Sequence, residues 1–189
     1  MRKIPLLILL AISLICFSQS DAGVVMKAGT AGGGTTLVGY DDDVSGGNYA
    51  TTTGDRIWYI QNTVVAEASG DIAYGYVKLT GCNGSRAFRL GVWDSSKNLI
   101  ACGAEVTPSE ATCNAGPIEC TFASGSITKD SSYYIGIHTD AGGLAFVHDN
   151  DGEFDFQTAS DTYADGCAAS FSPIANINDE GVPLLYVTD

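Results

Sequence analysis

The sequence predicts an all-β protein: a two-sheet antiparallel sandwich of the jelly-roll type, with an immunoglobulin-like sandwich as second choice. Three observations carry this. Apolar residues alternate by two along most of the chain, and no stretch sustains the three-and-four spacing of an amphipathic helix. Aromatic and β-branched residues are plentiful, which suits a pleated, half-buried surface. Short apolar runs recur at regular intervals, divided by Gly, Asn, Asp and Ser. An immunoglobulin-type sandwich is smaller than this chain, which ranks it second.

The elements follow in order. Residues 56–61 (RIWYIQ) open the series of strands. Residues 71–79 (DIAYGYVKL) put Ile72, Tyr74, Tyr76 and Lys78 on one face. Residues 86–94 (RAFRLGVWD) alternate cleanly: Phe88, Leu90 and Val92 face one way, Arg89, Gly91 and Trp93 the other. Ser95, Ser96, Lys97 and Asn98 make a turn, and residues 99–106 return as the hairpin partner. Strands are then expected at 118–122, 133–139, 144–147, 153–156 and 184–187. If residues 133–139 and 144–147 pair as a hairpin through Asp140–Gly143, His138 and His148 stand about 10 Å apart, at ~3.3 Å per residue.

Ahead of these strands, Met1, Arg2 and Lys3 precede an apolar run, 4–17, broken only by Pro5 and Ser13. Small or polar residues, 18–22, follow. A charged start, a short apolar centre and a small-residue end are the parts of a secretory signal peptide. The run falls short of the ~20 apolar residues that span a bilayer. Cleavage is expected before Asp21 or Gly23. Lipid attachment at Cys16 is disfavoured, because Ile15 is not the small residue such sites require. The expected organisation is a signal peptide, 1–22, and one secreted domain, 23–189. Its Gly- and Thr-rich start, 23–40, reads as a flexible leader or as a strand donated to a neighbouring copy.

Charge narrows the partners. The chain carries 9 Lys and Arg against 22 Asp and Glu, a formal net charge of −13. Lys129 is the last basic residue, and the carboxylates beyond it have no Lys or Arg to pair with. Nucleic acid and anionic membrane surfaces are excluded as partners, since both demand a basic face. No later stretch is apolar enough for membrane insertion.

Five cysteines follow the signal: Cys82, Cys102, Cys113, Cys120 and Cys167. Outside the cell most should pair, leaving one unpaired. Cys82 and Cys167 both sit in Gly-containing turns, which suggests a long-range bridge between them. The nearness of Cys102, Cys113 and Cys120 suggests a local one; the connectivity stays open at this stage. Zinc is disfavoured, because no Cys-x-x-Cys pair exists.

The strand Leu90-Gly91-Val92-Trp93-Asp94, the Ser-rich turn after it and the later strand Tyr133-Tyr134-Ile135-Gly136-Ile137 resemble jelly-roll modules of phage fibres and bacterial surface proteins. The resemblance spans residues 55–150. It implies an accessory module, carbohydrate-directed or structural, and hands over no defined site.

Candidate chemistry lies in acidic loops and aromatic side chains. Asp149, Asp151, Glu153 and Asp155 crowd a short Gly-containing loop, and Asp41, Asp42 and Asp43 stand in a row before Gly46 and Gly47. Several carboxylate oxygens in one loop suit Ca²⁺, which takes ~6–8 oxygen ligands; an Asp/Gly turn is the plainer alternative for each. Trp93, Trp58, Tyr49 and Tyr59 are candidates for a platform on which sugar rings stack, against the alternative that they fill the core. Glu153-Phe154-Asp155-Phe156-Gln157 resembles the Glu-x-Asp-x-Glu strand of jelly-roll glucanases. Gln157 stands where the acid/base should be, and an amide cannot transfer that proton. No nucleophile elbow or phosphate loop is present. Asn83-Gly84-Ser85 is a formal glycosylation sequon. The sequence therefore points to a secreted non-catalytic binding module, directed to an extracellular glycan or surface component and stabilised by Ca²⁺. The second expectation is a self-assembling structural subunit, and the third a glycan-active enzyme.

Overall fold

The computed structural model describes residues 34–41, 48–50, 54–82, 86–147, 156–177 and 184–189. Among these residues the strands are β1 (Thr36–Tyr40), β2 (Asn48–Ala50), β3 (Arg56–Ile60), β4 (Val64–Val65), β5 (Gly70–Asp71), β6 (Tyr74–Cys82), β7 (Phe88–Asp94), β8 (Leu99–Cys102), β9 (Pro117–Thr121), β10 (Ser126–Ile127), β11 (Ser132–Thr139), β12 (Leu144–Val147), β13 (Phe156–Ser160), β14 (Ala175–Ile177) and β15 (Leu185–Thr188). They build two antiparallel sheets. One has the order β1-β15-β6-β12-β2, with β9 also beside β6; the other has the order β14-β13-β3-β11-β7-β8, with β4 also beside β11. A short β5–β10 ladder stands apart.

The alternation read from the sequence explains why the sheets face each other. Phe88, Leu90 and Val92 of β7, Ile135 and Ile137 of β11, and Trp58 and Ile60 of β3 share one core with Val77 and Leu79 of β6, Leu144 and Phe146 of β12, and Leu185 and Val187 of β15. Each such side chain contributes about 1.5–3 kcal/mol by leaving water. The molecule is an all-β sandwich, and the chain passes repeatedly from one sheet to the other.

Four expectations need correction. The Gly- and Thr-rich start is not all leader: β1 pairs with β15 of its own chain, from Thr36↔Thr188 to Tyr40↔Leu185. Leu37 and Val38 lie in the core. A bulge between Thr36 and Val38 turns both inward, and Gly39, at φ 126°, takes a backbone shape other residues avoid.

Residues 132–139 and 144–147 do not form a hairpin. Both edges of β11 are occupied, by β3 and β7, so β12 crosses to the other sheet and pairs with β6 and β2. His148 lies outside the described residues.

The cysteines also pair differently. The bridges are Cys82–Cys113 and Cys102–Cys167, and among the described residues Cys120 is the free one. A four-residue helix, α1 (Glu110–Cys113), capped by the Ser109 side chain, delivers Cys113 to the end of β6. Two bridges indicate an oxidising setting. No described helix is long and apolar enough to cross a membrane.

The return strand after the Ser95–Asn98 turn stops early, at Cys102. Beyond it, the Gly103 N–H donates to the Leu90 carbonyl at 2.8 Å and Val106 bridges to Phe88. Residues 83–85, with the sequon, and 153–155 lie outside the described residues.

Candidate functional site

The sheet containing β7 is buried on both sides. After β13 the chain turns back over the outer face as an irregular strap, residues 161–174, opened by a single 3₁₀ turn, Tyr163–Asp165. Trp93, Tyr59 and Ile57, which alternation turns away from the inter-sheet core, meet Ala168 and Phe171 of the strap in a second apolar cluster. Gly91, two residues before Trp93 on the same face, leaves the space in which the indole lies. The indole N–H donates to the Ala168 carbonyl at 2.9 Å, and Phe171 stands edge-on to the Trp93 ring at 5.1 Å. Leu99 donates its N–H to Ala169, and the Cys102–Cys167 bridge fixes the strap to β8.

The proposed aromatic platform is therefore corrected. Trp93 and Tyr59 are 0% exposed and Trp58 2%, so none of these rings presents a face to a sugar. Burial holds the Tyr59 phenol well above its ordinary range, with the neighbouring Tyr134 adding to it. Tyr49 stands on β2, and its side chain lies outside the described residues.

Where the strap begins, three strand ends converge. Arg56 at the start of β3 pairs with Thr139 at the end of β11 and with Ser160 at the end of β13. Gly54, Asp55, Arg56, Ser160, Asp161 and Thr162 line an open polar cleft of about 550 Å³ there. The cleft wall is tied down on both sides. The Asp161 N–H donates to the Asp55 carbonyl at 3.2 Å, and the Tyr163 N–H to Asp55 Oδ1 at 3.1 Å. Asp55 itself sits at φ 49°, a conformation Asp tolerates better than most residues.

His138, fully buried, stands behind this wall. Its Nδ1 lies 2.8 Å from the Gly166 carbonyl and its Nε2 3.3 Å from the Asp161 carbonyl, so one ring spans both ends of the turn. The Asp161 carboxylate lies 3.6 Å from Nδ1. Tyr163 packs edge-on against the imidazole at 5.1 Å, and the Arg89 guanidinium covers the Tyr163 ring at 5.5 Å while pairing with Glu105 at 3.1 Å. Burial first, then the Glu105 carboxylate, pushes the Tyr163 phenol up. Both His138 nitrogens lie against backbone carbonyls inside the wall, so the buried ring stands as a strut and is closed to a substrate.

Of the expected metal ligands, Asp41 is described: it is buried, and its Oδ2 accepts from the Thr36 hydroxyl at 2.6 Å. Asp42, Asp43, Asp149, Asp151, Glu153 and Asp155 lie outside the described residues. Among the described residues no group of three or more His, Cys, Asp or Glu is placed to hold a metal ion. The cleft escaped the sequence reading, because Asp55, Arg56 and Asp161 come together only through strand register. The one local signal was an Asp-Arg pair at a strand start. Compared with protein-family models, curated proteins and solved structures, the chain matches none.

Proposed function

We propose that the chain is an exported, non-catalytic binding module whose polar cleft takes a carbohydrate. The observation that carries this reading is the lining: a guanidinium, two carboxylates and two hydroxyls on one open rim. Such groups match the donor and acceptor hydroxyls of a sugar, and a disulfide-pinned sandwich holds them in place without spending ligand affinity on ordering. Export is supported by the signal-like start and by the two bridges. The likeness to fibre and surface modules agrees with an accessory role. Ca²⁺ enters through the carboxylates of 149–155, as a stabiliser of that loop.

Affinity electrophoresis through a panel of polysaccharide gels tests the function. The native protein should be retarded by at least one gel, and Trp93→Phe should be retarded equally, since that ring is covered by the strap. Release of reducing ends from the same polysaccharides would replace the reading with a hydrolase. For Ca²⁺, thermal melting in millimolar calcium and in chelator is the measurement. A site filled to 100 times its dissociation constant adds about 2.7 kcal/mol, and coincident midpoints would remove the ion from the proposal.

A further inference from the structure

Arg56 shares its cleft with two carboxylates, Asp55 and Asp161, yet pairs with neither. Among the described residues no hydrogen bond or ion pair engages its guanidinium; its backbone pairs in the ladders with Thr139 and Ser160, and its carbonyl also accepts from the Thr139 hydroxyl at 3.4 Å. The two acids are committed elsewhere. Asp55 Oδ1 receives the Tyr163 N–H, which stitches the strap to the start of β3. Asp161 Oδ2 is turned inward to His138 and shielded from solvent. Arg89, two strands away on β7, is by contrast spent on Glu105 and on the face of Tyr163.

The geometry points to Arg56 as the ligand-reading group of the cleft, its fork of N–H donors meeting two adjacent hydroxyl oxygens of a neutral saccharide. This rests on the binding function proposed above and names its ligand class. A guanidinium carries five N–H donors in a fixed plane, spaced to meet two neighbouring acceptor oxygens together. Vicinal hydroxyls on a sugar ring supply that pair. The hydroxyls of Ser160 and Thr162 on the same rim both donate and accept. An acidic sugar fits less well. The lining holds two carboxylates to one guanidinium, and the whole chain carries −13, so an anion approaches against the field.

The test is affinity electrophoresis of the native protein, Arg56→Ala and Arg56→Lys through gels of neutral polysaccharides and of polygalacturonate, with melting midpoints recorded for each. Retardation of the native protein by a neutral gel, and not by polygalacturonate, is expected. Both variants should bind at least tenfold more weakly at an unchanged midpoint; the lysine keeps the charge and loses the fork. Native-like binding by Arg56→Ala would overturn the role of Arg56 and leave the module a carbohydrate binder. Stronger retardation by polygalacturonate, fading as salt is raised, would overturn the neutral-ligand assignment. No retardation on any gel would overturn both this inference and the function it rests on. Should Arg56→Ala melt early, the lysine variant, which retains the aliphatic stem, decides the matter by the same readout.

Discussion

At the scale of single residues, burial settles reactivity as well as packing. Cys120, the free thiol among the described residues, lies in the inter-sheet core. Burial, reinforced by the nearby Glu119 carboxylate, pushes its pKa up to about 12. Only the thiolate attacks disulfides or alkylating agents, so at pH 8 roughly one molecule in ten thousand is reactive at this position. Native protein should leave Cys120 unlabelled by iodoacetamide over hours, and the same reagent in denaturant should label it fully; mapping of the alkylated peptide decides. Rapid native labelling would show that the core opens far more often than its packing implies. Asp94 is the opposite case, a half-buried acid at the end of β7 that organises a turn. It accepts from the N–H groups of Ser96 at 2.8 Å and Asn98 at 2.9 Å and from the Asn98 amide at 3.1 Å, which lets Lys97 sit at φ 67°. The Asn98 bonds, backbone first, hold its carboxyl below the usual range. A lowered folded-state pKa contributes stability above the unfolded value, about 3.9, and that stability is lost as pH falls through the folded value. Asp94→Asn should therefore melt lower than the native protein at pH 6, and the gap should close below about pH 4. A constant gap across that range would deny the carboxylate its part in the turn.

At the scale of elements, the strap explains both what the sequence disclosed and what it concealed. Alternation in 86–94 correctly assigned Phe88, Leu90 and Val92 to one face and Trp93 to the other. Period two says which residues share a face and nothing about what covers that face. The cover here is irregular chain with no period to detect, so the sequence left Trp93 and Tyr59 open between a sugar platform and a place in the core. Disulfide partners failed for the same reason: Cys102 meets Cys167 because the strap crosses β8, and Cys113 meets Cys82 because α1 packs on β6. Neither crossing has a local signature. The cleft was hidden likewise, its six lining residues coming from two segments over a hundred positions apart. If the strap is a clamped lid on the second cluster, Cys102→Ser with Cys167→Ser should cost about 4 kcal/mol in the chain-entropy account. Hydrogen exchange should accelerate first at Leu99 and through 163–170, with β6 and β15 protected. Uniform acceleration across both sheets would mean that the bridge stabilises the whole molecule rather than this element.

At the scale of the whole molecule, one sheet is completed by the two ends of the described chain. Beyond the β1–β15 ladder, Thr35 donates its N–H to the Asp189 carboxylate at 2.6 Å, and Asp189 donates its own N–H back to the Thr35 carbonyl. Removal of residues 34–41 takes Leu37 and Val38 out of the core and leaves β15 with a bare edge. Such a truncation should lower the urea midpoint sharply and bring the protein to aggregation, not merely alter assembly. A soluble, cooperatively unfolding truncation would return those residues to the status of a leader. A sheet that joins residue 36 to residue 188 also has a temporal consequence. Ribosomes deliver the amino end first, at about 5–20 residues per second. β1 must then stay unpaired for several seconds until its partner is synthesised, longer than strand pairing itself needs. During that wait its apolar pair is exposed to any other nascent chain, and the arrival of residues 185–188 decides whether that sheet closes correctly.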